Sequence, residues 1–227
     1  MAEEDPLAAA AIEEIRAGMC VGLGTGRTAA RAIHALAGRV HAERLAVTCV
    51  ATSRASEEIA RGLGLRVEAM DGIERVDYLF DGADEVDPAM RLLKGRGGAM
   101  TRERIVARAA ARRVYLVDET KQVARLGESA RLPIEVLRFG LAAAVRALRE
   151  LGLDATPRQV AGDGAERTTD DGNPILDATL EEGADLEALS AALDGIPGVV
   201  GHGLFLTEAD VLLVETADGR VQRRSRE

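Results

Sequence analysis

The chain has 227 residues, 47% hydrophobic and 30% charged, the composition of a folded protein and not of a disordered or fibrous one. A formal net charge of −9, with 2% aromatics and no Trp, argues against a nucleic-acid partner, which usually demands a basic field and stacking platforms. No apolar run approaches the roughly 20 residues that cross a bilayer, and the opening MAEEDPLAAAAIEEI is acidic where a secretory leader would be basic, so a cytoplasmic protein without a membrane partner is expected.

In chain order, residues Glu3 to Arg16 read as a helix, and Met19 to Leu23 as a short apolar strand entering a glycine-rich turn. An Ala-rich helix covers Thr28 to Ala37. A strand from Leu45 to Val50 leads through ATS into a helix from about Ser56 to Leu63. Leu65 to Ala69 and Val76 to Phe80 read as two more strands, about Ala99 to Arg112 as a helix, and Val114 to Val117 as a buried strand. Strands alternating with helices predict a parallel sheet covered on both faces. From Leu132 the rhythm changes. Pro133 to Val136 is a strand, Gly140 to Leu151 a helix, and Gln159 to Gly162 a weak strand. Ile175 to Leu180 is a strand, Leu186 to Leu193 a helix, and Val199 to Leu206 a strand. That order is the split βαβ pattern of a small antiparallel α+β domain. DVLLVE and GRVQRR, around Ala217–Asp218–Gly219, form a hairpin assigned to the first sheet. The expected class is α/β: a parallel-sheet domain over residues 1–130 and 208–227, with a smaller split βαβ, ferredoxin-like α+β domain over 131–207.

Ligands of an open parallel sheet sit outside the carboxyl ends of its strands, and the unusual residues collect there. GLGTGRTAA, Gly22 to Ala30, precedes a helix, where backbone N–H groups favour an anion and Thr25 and Thr28 add hydroxyls. A dinucleotide fingerprint fails because its third glycine would be Arg27, and the next strand ends in ATS and not in an acid. A P-loop fails for want of GK[ST]. The turn then suits the phosphate of a small molecule, or serves the chain alone. DGADEVDP brings Asp81 and Asp84 to a strand end; such carboxylates could bind Mg²⁺ or solvate and cap a loop. Asp87 reads as a turn residue, and Glu85 as solvent-facing or structural. In KGRGGAMTRERIV, Glu103 opens a helix, where helix-dipole compensation is the plain alternative to catalysis. Arg102 and Arg104 read as surface charges or ion-pair partners.

Among 29 basic residues only Lys94 and Lys121 are lysines. Both fall in these loops, where the forked arginine cannot imitate a compact ammonium. Cys20 and Cys49 stand apart without CxxC spacing and read as buried free thiols. With only His34, His41 and His202, and no close pair, no metal site is expected. His34 and His41 read as surface residues, His202 as structural.

GLGTGRTAA, ATSRAS, DGADEVDP, KGRGGAMTRERIVA, DETK, LPIEV, DDGNPILD and IPGVVGHGLF, from near residue 20 to 206, together resemble the ribose-5-phosphate isomerase type A family. The resemblance implies a Rossmann-like parallel-sheet domain with the smaller α+β domain as a lid, and interconversion of ribose 5-phosphate and ribulose 5-phosphate without metal or cofactor, in a homodimer or homotetramer. It implies Glu103 as general base, Asp81 and Asp84 as carboxylates for ring opening and hydroxyl protons, and Lys94 as the cation at the enediolate oxygen. Thr25, Gly26 and Thr28 match its phosphate turn, with Arg27 in place of Ser. Gly82, Ala83, Gly95 and Gly97 fall in its binding loops, with Arg96 in place of Gly, and Lys121 matches a further substrate contact. Asp171 replaces Asn in its DNGN motif. Rival readings are a glucosamine-phosphate isomerase, a CoA-transferase whose glutamate attacks as nucleophile, and a non-catalytic sugar-phosphate sensor. The chemistry agrees with the resemblance: moving a carbonyl between adjacent carbons needs one base, an electrophile for the enediolate, and exclusion of water.

Overall fold

The computed structural model describes residues 5–160, 162 and 164–226. The chain opens with α1 (Pro6–Ile12), β1 (Cys20–Leu23), α2 (Arg27–Glu43), β2 (Thr48–Ala51), α3 (Arg54–Gly62) and β3 (Tyr78–Gly82). Two short strands, β4 (Glu85–Val86) and β5 (Leu92–Leu93), precede α4 (Met100–Ala109) and β6 (Arg113–Asp118). Then come β7 (Leu132–Val136), α5 (Leu141–Glu150), β8 (Ala155–Pro157), β9 (Ile175–Ala178), α6 (Leu186–Asp194) and β10 (Val199–His202). β11 (Leu204–Phe205), β12 (Val211–Glu215) and β13 (Val221–Ser225) close the chain.

These elements form two compact units, residues 1–83, 102–122 and 207–227 in one, residues 84–101 and 123–206 in the other. Residues 84–101 and 123–130, read from sequence with the parallel sheet, thus group with the second unit.

The first unit is built on a sheet of order β13-β12-β6-β3-β1-β2. Its neighbours are parallel except the edge strand β13, which pairs antiparallel with β12 as the hairpin reading expected. Side chains alternate across a strand, and each face has its own chemistry. Val21, Leu23, Tyr78, Phe80, Val114, Leu116, Val211 and Leu213 join one core with Leu7, Ile33 and Leu36 of α1 and α2. The opposite face carries Gly22, Gly24, Leu79, Asp81 and Tyr115, with Gly22 beside Leu79 and Asp81 beside Tyr115 in register. A methyl group on Gly22 would lie 2.8 Å from Val106 of α4, so glycine permits this helix to approach the sheet.

The parallel strands run in the order 2-1-3-4-5 when numbered along the chain. The order reverses between β1 and β3, and the crevice at such a switch point is where ligands of doubly wound sheets bind. α2 is longer than expected, starting at Arg27 and ending where Arg44 turns left-handed at φ 53°. α1 is shorter, capped by Asp5, whose carboxylate accepts from Ala8 N–H; the expected start at Glu3 lies outside the described residues. Leu65 to Ala69 is not a strand of its own: only Val67 bridges Cys49, because Gly64 at φ 78° and the 3₁₀ turn at Met70–Gly72 leave no length for a ladder.

The second unit contains β7-α5-β8-β9-α6-β10, whose antiparallel sheet has the order β10-β7-β9-β8. This is the split βαβ arrangement the sequence order predicted. The strand expected at Gln159 to Gly162 lies earlier, at Ala155–Pro157; Gln159 makes one bridge, to Glu166, and residue 161 is not described. Pro157 fits there because β8 is an edge strand, where a missing N–H costs no ladder bond. Leu132, Ile134, Val136, Ala144, Leu148, Leu176, Ala178, Leu193 and Leu204 form its core. The strand expected from Val199 to Leu206 divides into β10 and β11, and β11 joins a second small sheet, β11-β5-β4, whose two-residue strands β4 and β5 went unread.

Candidate active site

In the parallel-sheet unit, the turn after β1 is shaped by its neighbours. The backbone of Gly24 lies so close to β3 that a Cβ would overlap the Asp81 carboxylate and Cα. Asp81 is fully buried, and its Oδ1 accepts from Thr25 N–H at 2.9 Å and Gly82 N–H at 2.7 Å. The hydroxyl of Thr52, in the ATS segment after β2, donates to Leu23 O at 3.0 Å. Its proton is thereby committed, so Thr25 Oγ1, 2.7 Å away, is the donor between the two hydroxyls. Ser56 Oγ adds a bond to Gly24 O at 2.6 Å. Both donors of Thr25 therefore serve the protein, and its part in anion binding is to hold the turn.

The open end of that turn is Gly26–Arg27–Thr28. Gly26 has φ 97° and ψ 177°, a backbone region reserved for glycine, and no side chain caps α2. A 17-residue helix with an uncapped start presents its first N–H groups and the positive end of its dipole. Arg27 is exposed and Thr28 half-buried. Arg27 begins the helix with ordinary backbone geometry, which is why Arg can stand there.

Glu103 occupies the first turn of α4 and is 4% exposed. Three residues on, and so on the same helix face, Val106 lies against the sheet at Gly22. Tyr115 ties the two carboxylates together: it is Asp81's partner in register, and its hydroxyl pKa is driven well above the usual value. Burial is the main cause, followed by the charges of Asp81, Glu208 and Glu103. A glutamate serving only the helix dipole would sit at the surface. Arg104, read as an ion-pair partner, meets Glu208 at 3.2 Å. Lys121 lies half-buried in a 3₁₀ turn, Glu119–Lys121, whose cap Asp118 accepts from Thr120 N–H. Gly82 and Ala83 are half-buried at the end of β3.

In the second unit, Asp84 Oδ2 accepts from Arg96 N–H at 2.8 Å, so this carboxylate braces the turn that follows Lys94. Lys94 is 2% exposed, its N–H donates to Gly203 O at 2.9 Å, and Nζ lies 5.6 Å from the centroid of the Phe205 ring. A buried ammonium over an aromatic face is a cation–π arrangement. Gly95 at φ 102° and Gly98 at φ 85° take the left-handed positions of the turn, and a methyl group on Gly95 would crowd Pro133 and Met100. Residue 96 has no positive φ, which explains why Arg is accepted there. Gly97 and Arg96 are exposed.

Other readings resolve plainly. Glu85 is structural and not solvent-facing: it is fully buried and accepts from Gly127 N–H, Ser129 N–H and Oγ, and Ala130 N–H. Asp87 closes its turn by accepting from Ala89 and Arg91 N–H and pairing with the Arg91 guanidinium. His34 and His41 are exposed, and buried His202 accepts from Leu204 N–H and faces Asp194. Cys49 is buried, with its thiol pushed up to about 12 by desolvation, while Cys20 is half-buried; both are free. Asp171 is exposed, whereas Asn173 of the same motif donates to buried Glu135 at 2.8 Å. Sequence reading missed Thr52, Ser56, Tyr115 and Phe205. ATS was read for the acid it lacks and as part of the motif ATSRAS, with no role given to its hydroxyls, although hydroxyls beside a glycine turn are a usable signal.

The model of the family described as ribose 5-phosphate isomerase A (phosphoriboisomerase A) matches residues 48–219. A ribose-5-phosphate isomerase A of Roseiflexus sp. (strain RS-1) is 46% identical over 213 residues, covering 93% of this chain and 91% of that protein. The solved ribose 5-phosphate isomerase A of Methanocaldococcus jannaschii superposes with a TM-score of 0.90 at 36% identity, over 97% of both chains. A D-ribose-5-phosphate isomerase solved in complex with phospho-erythronic acid gives a TM-score of 0.92 at 33% identity, over 98% of this chain and 97% of that one. On this family match and these relatives, the chain belongs to the ribose 5-phosphate isomerase A family.

Proposed function

We propose that the protein interconverts D-ribose 5-phosphate and D-ribulose 5-phosphate by a single-base proton transfer through an enediolate. In this reading Glu103 removes the proton from C2 of the open-chain aldose and returns it to C1, while the hydroxyl proton moves between O2 and O1. Asp81 and Asp84 assist ring opening and hydroxyl proton movement, and the Lys94 ammonium stabilises the charge that develops on the enediolate oxygen. The N–H groups of Gly26, Arg27 and Thr28 at the start of α2 hold the phosphate, with Lys121 as a further substrate contact. Gly82, Ala83, Gly95, Arg96 and Gly97 shape the binding loops. The solved relative's ligand supports this class of chemistry: phospho-erythronic acid is a sugar-acid phosphate whose planar anionic end imitates an enediolate. The same reading places the protein in the cytoplasm, in the pentose phosphate pathway, as a homo-oligomer whose α+β unit acts as a lid.

The observation that carries it is the burial of Glu103 on the sheet-facing side of α4, within electrostatic reach of the same tyrosine as Asp81. Glu103→Gln keeps the shape and removes the base. Its kcat on ribose 5-phosphate should fall ~10²–10⁴-fold, as loss of a general base does. A dipole role would instead cost about 0.3–1 kcal/mol of stability and leave turnover intact. Paired measurements of kcat and thermal midpoint separate the two. A fully active variant with a lowered midpoint would overturn the assignment.

A further inference from the structure

The turn from Lys94 to Gly98 is gripped by an arginine that no motif announces. Arg158 follows β8, and its side chain is 13% exposed. Its Nη1 donates to the carbonyl oxygens of Gly95 at 2.9 Å and Arg96 at 3.0 Å. Its Nε and Nη2 donate to the two oxygens of Asp177 at 2.8 and 2.5 Å. Asp177 stands in β9, in register with Thr156 of β8, so both ends of the grip rest on paired strands. Arg167 adds a weaker exposed bond, from Nη2 to Gly97 O at 3.2 Å.

Peptide planarity turns this grip into an orientation. In a trans peptide the C=O and the next N–H point opposite ways. The Gly95–Arg96 peptide has its oxygen on Arg158 and its N–H on Asp84 Oδ2, so it is clamped from both sides. The Arg96–Gly97 peptide also has its oxygen on Arg158, which sends the Gly97 N–H away from that guanidinium, toward the side where Asp84 lies. That N–H has no hydrogen-bond partner among the described residues, and Gly97 is exposed. A guanidinium on the carbonyl oxygens also polarises both peptides, making their N–H groups stronger donors.

We infer that Arg158, anchored by Asp177, is a positioning residue for the isomerisation. It aligns Asp84 through the Arg96 N–H and presents the Gly97 N–H as a second donor, beside the Lys94 ammonium, for the oxyanion. A lysine cannot replace it, since one point charge cannot hold two carbonyls and a bidentate carboxylate together. The inference rests on the isomerase reading.

The test compares Arg158→Lys, Arg158→Ala and the control Arg167→Ala in steady-state turnover of ribose 5-phosphate, with thermal midpoints. Misplaced catalytic groups cost up to about 10²-fold in rate, so kcat should fall about 10- to 100-fold in both Arg158 variants, KM changing by less than about threefold. Arg167→Ala should stay within about threefold of the parent, as its single exposed bond suggests. Arg158→Lys keeps the charge and most of the stem, so it reports on orientation even where Arg158→Ala fails to fold. Its affinity for phospho-erythronic acid should drop roughly tenfold, while inorganic phosphate binds as before. An Arg158→Lys enzyme with parental kcat and parental affinity for phospho-erythronic acid would overturn the inference. So would losses that vanish once activity is normalised to the folded fraction. A parent protein that does not turn over ribose 5-phosphate would instead sink the isomerase reading.

Discussion

Gly24 is required by geometry in the most direct sense: its Cα hydrogen faces the Asp81 carboxylate, and any Cβ would overlap it. Asp81 has one oxygen fixed by the Thr25 and Gly82 N–H groups, so the glycine, the aspartate and the turn form one packed object. Gly24→Ala should therefore do two things together. Overpacking in a tight site costs about 1–3 kcal/mol, visible as a lower denaturant midpoint. Displacing the carboxylate should also lower kcat more than the stability loss explains. A variant with the parental midpoint and parental kcat would show that the turn can move aside. The arginine bias of the chain made Lys94 and Lys121 stand out, but only burial separates them: Lys94 is 2% exposed over Phe205, and Lys121 is half-buried in a surface turn.

Helices α1 and α2 and strand β12 are tied at their ends by one arginine. Arg31 of α2 pairs with Asp5, the cap of α1, at 2.6 Å and with Glu215 of β12 at 2.7 Å. The hydrogen bond from Arg31 is the largest influence on Asp5 and holds its carboxyl below the usual range. The sign of the pH effect follows from linkage. A depressed folded-state pKa gives stability that is present above the unfolded value, ~3.9, and is lost as pH falls through the folded one. Asp5→Asn keeps the cap, since Asn and Asp cap alike, but removes the titration. Thermal midpoints measured from pH 6 down to pH 2 should fall less steeply below about pH 4 in the variant than in the parent. Parallel curves would mean that the pair contributes nothing measurable, as exposed pairs sometimes do. At this scale the sequence was right about the kind of each long element and wrong about several ends. Ends are set by caps and left-handed residues such as Arg44, while the two-residue strands exist only through one another, β5 pairing with β11 on one side and β4 on the other.

Across the whole molecule, the chain passes between its two units at 83/84, 101/102, 122/123 and 206/207. The run from Asp81 to Val106, which carries the most specific motif, is therefore divided, with Asp81 and Glu103 in one unit and Asp84 and Lys94 in the other. No group of three His, Cys, Asp or Glu among the described residues is placed to hold a metal ion, and no helix there is long and apolar enough to cross a membrane. In the proposed mechanism, where Lys94 is the electrophile, turnover of ribose 5-phosphate should be unchanged after dialysis against EDTA and unaffected by added divalent ions. Loss with chelator and recovery with a divalent ion would refute the metal-free mechanism. The sequence by itself determined the alternation that makes a parallel sheet, the split βαβ order, and the motifs that mark the family, because these are local patterns of period, turn and motif. Tertiary structure alone decided that Thr25 serves Asp81 and Thr52, that buried Tyr115 feels the charges of Asp81, Glu208 and Glu103, that Glu85 is buried, and that Arg158 grips a turn 62 residues before it. Each of these joins residues far apart in the chain, and no periodicity or spacing encodes such a pairing; it arises when strands and helices pack and every buried polar group must find its partner.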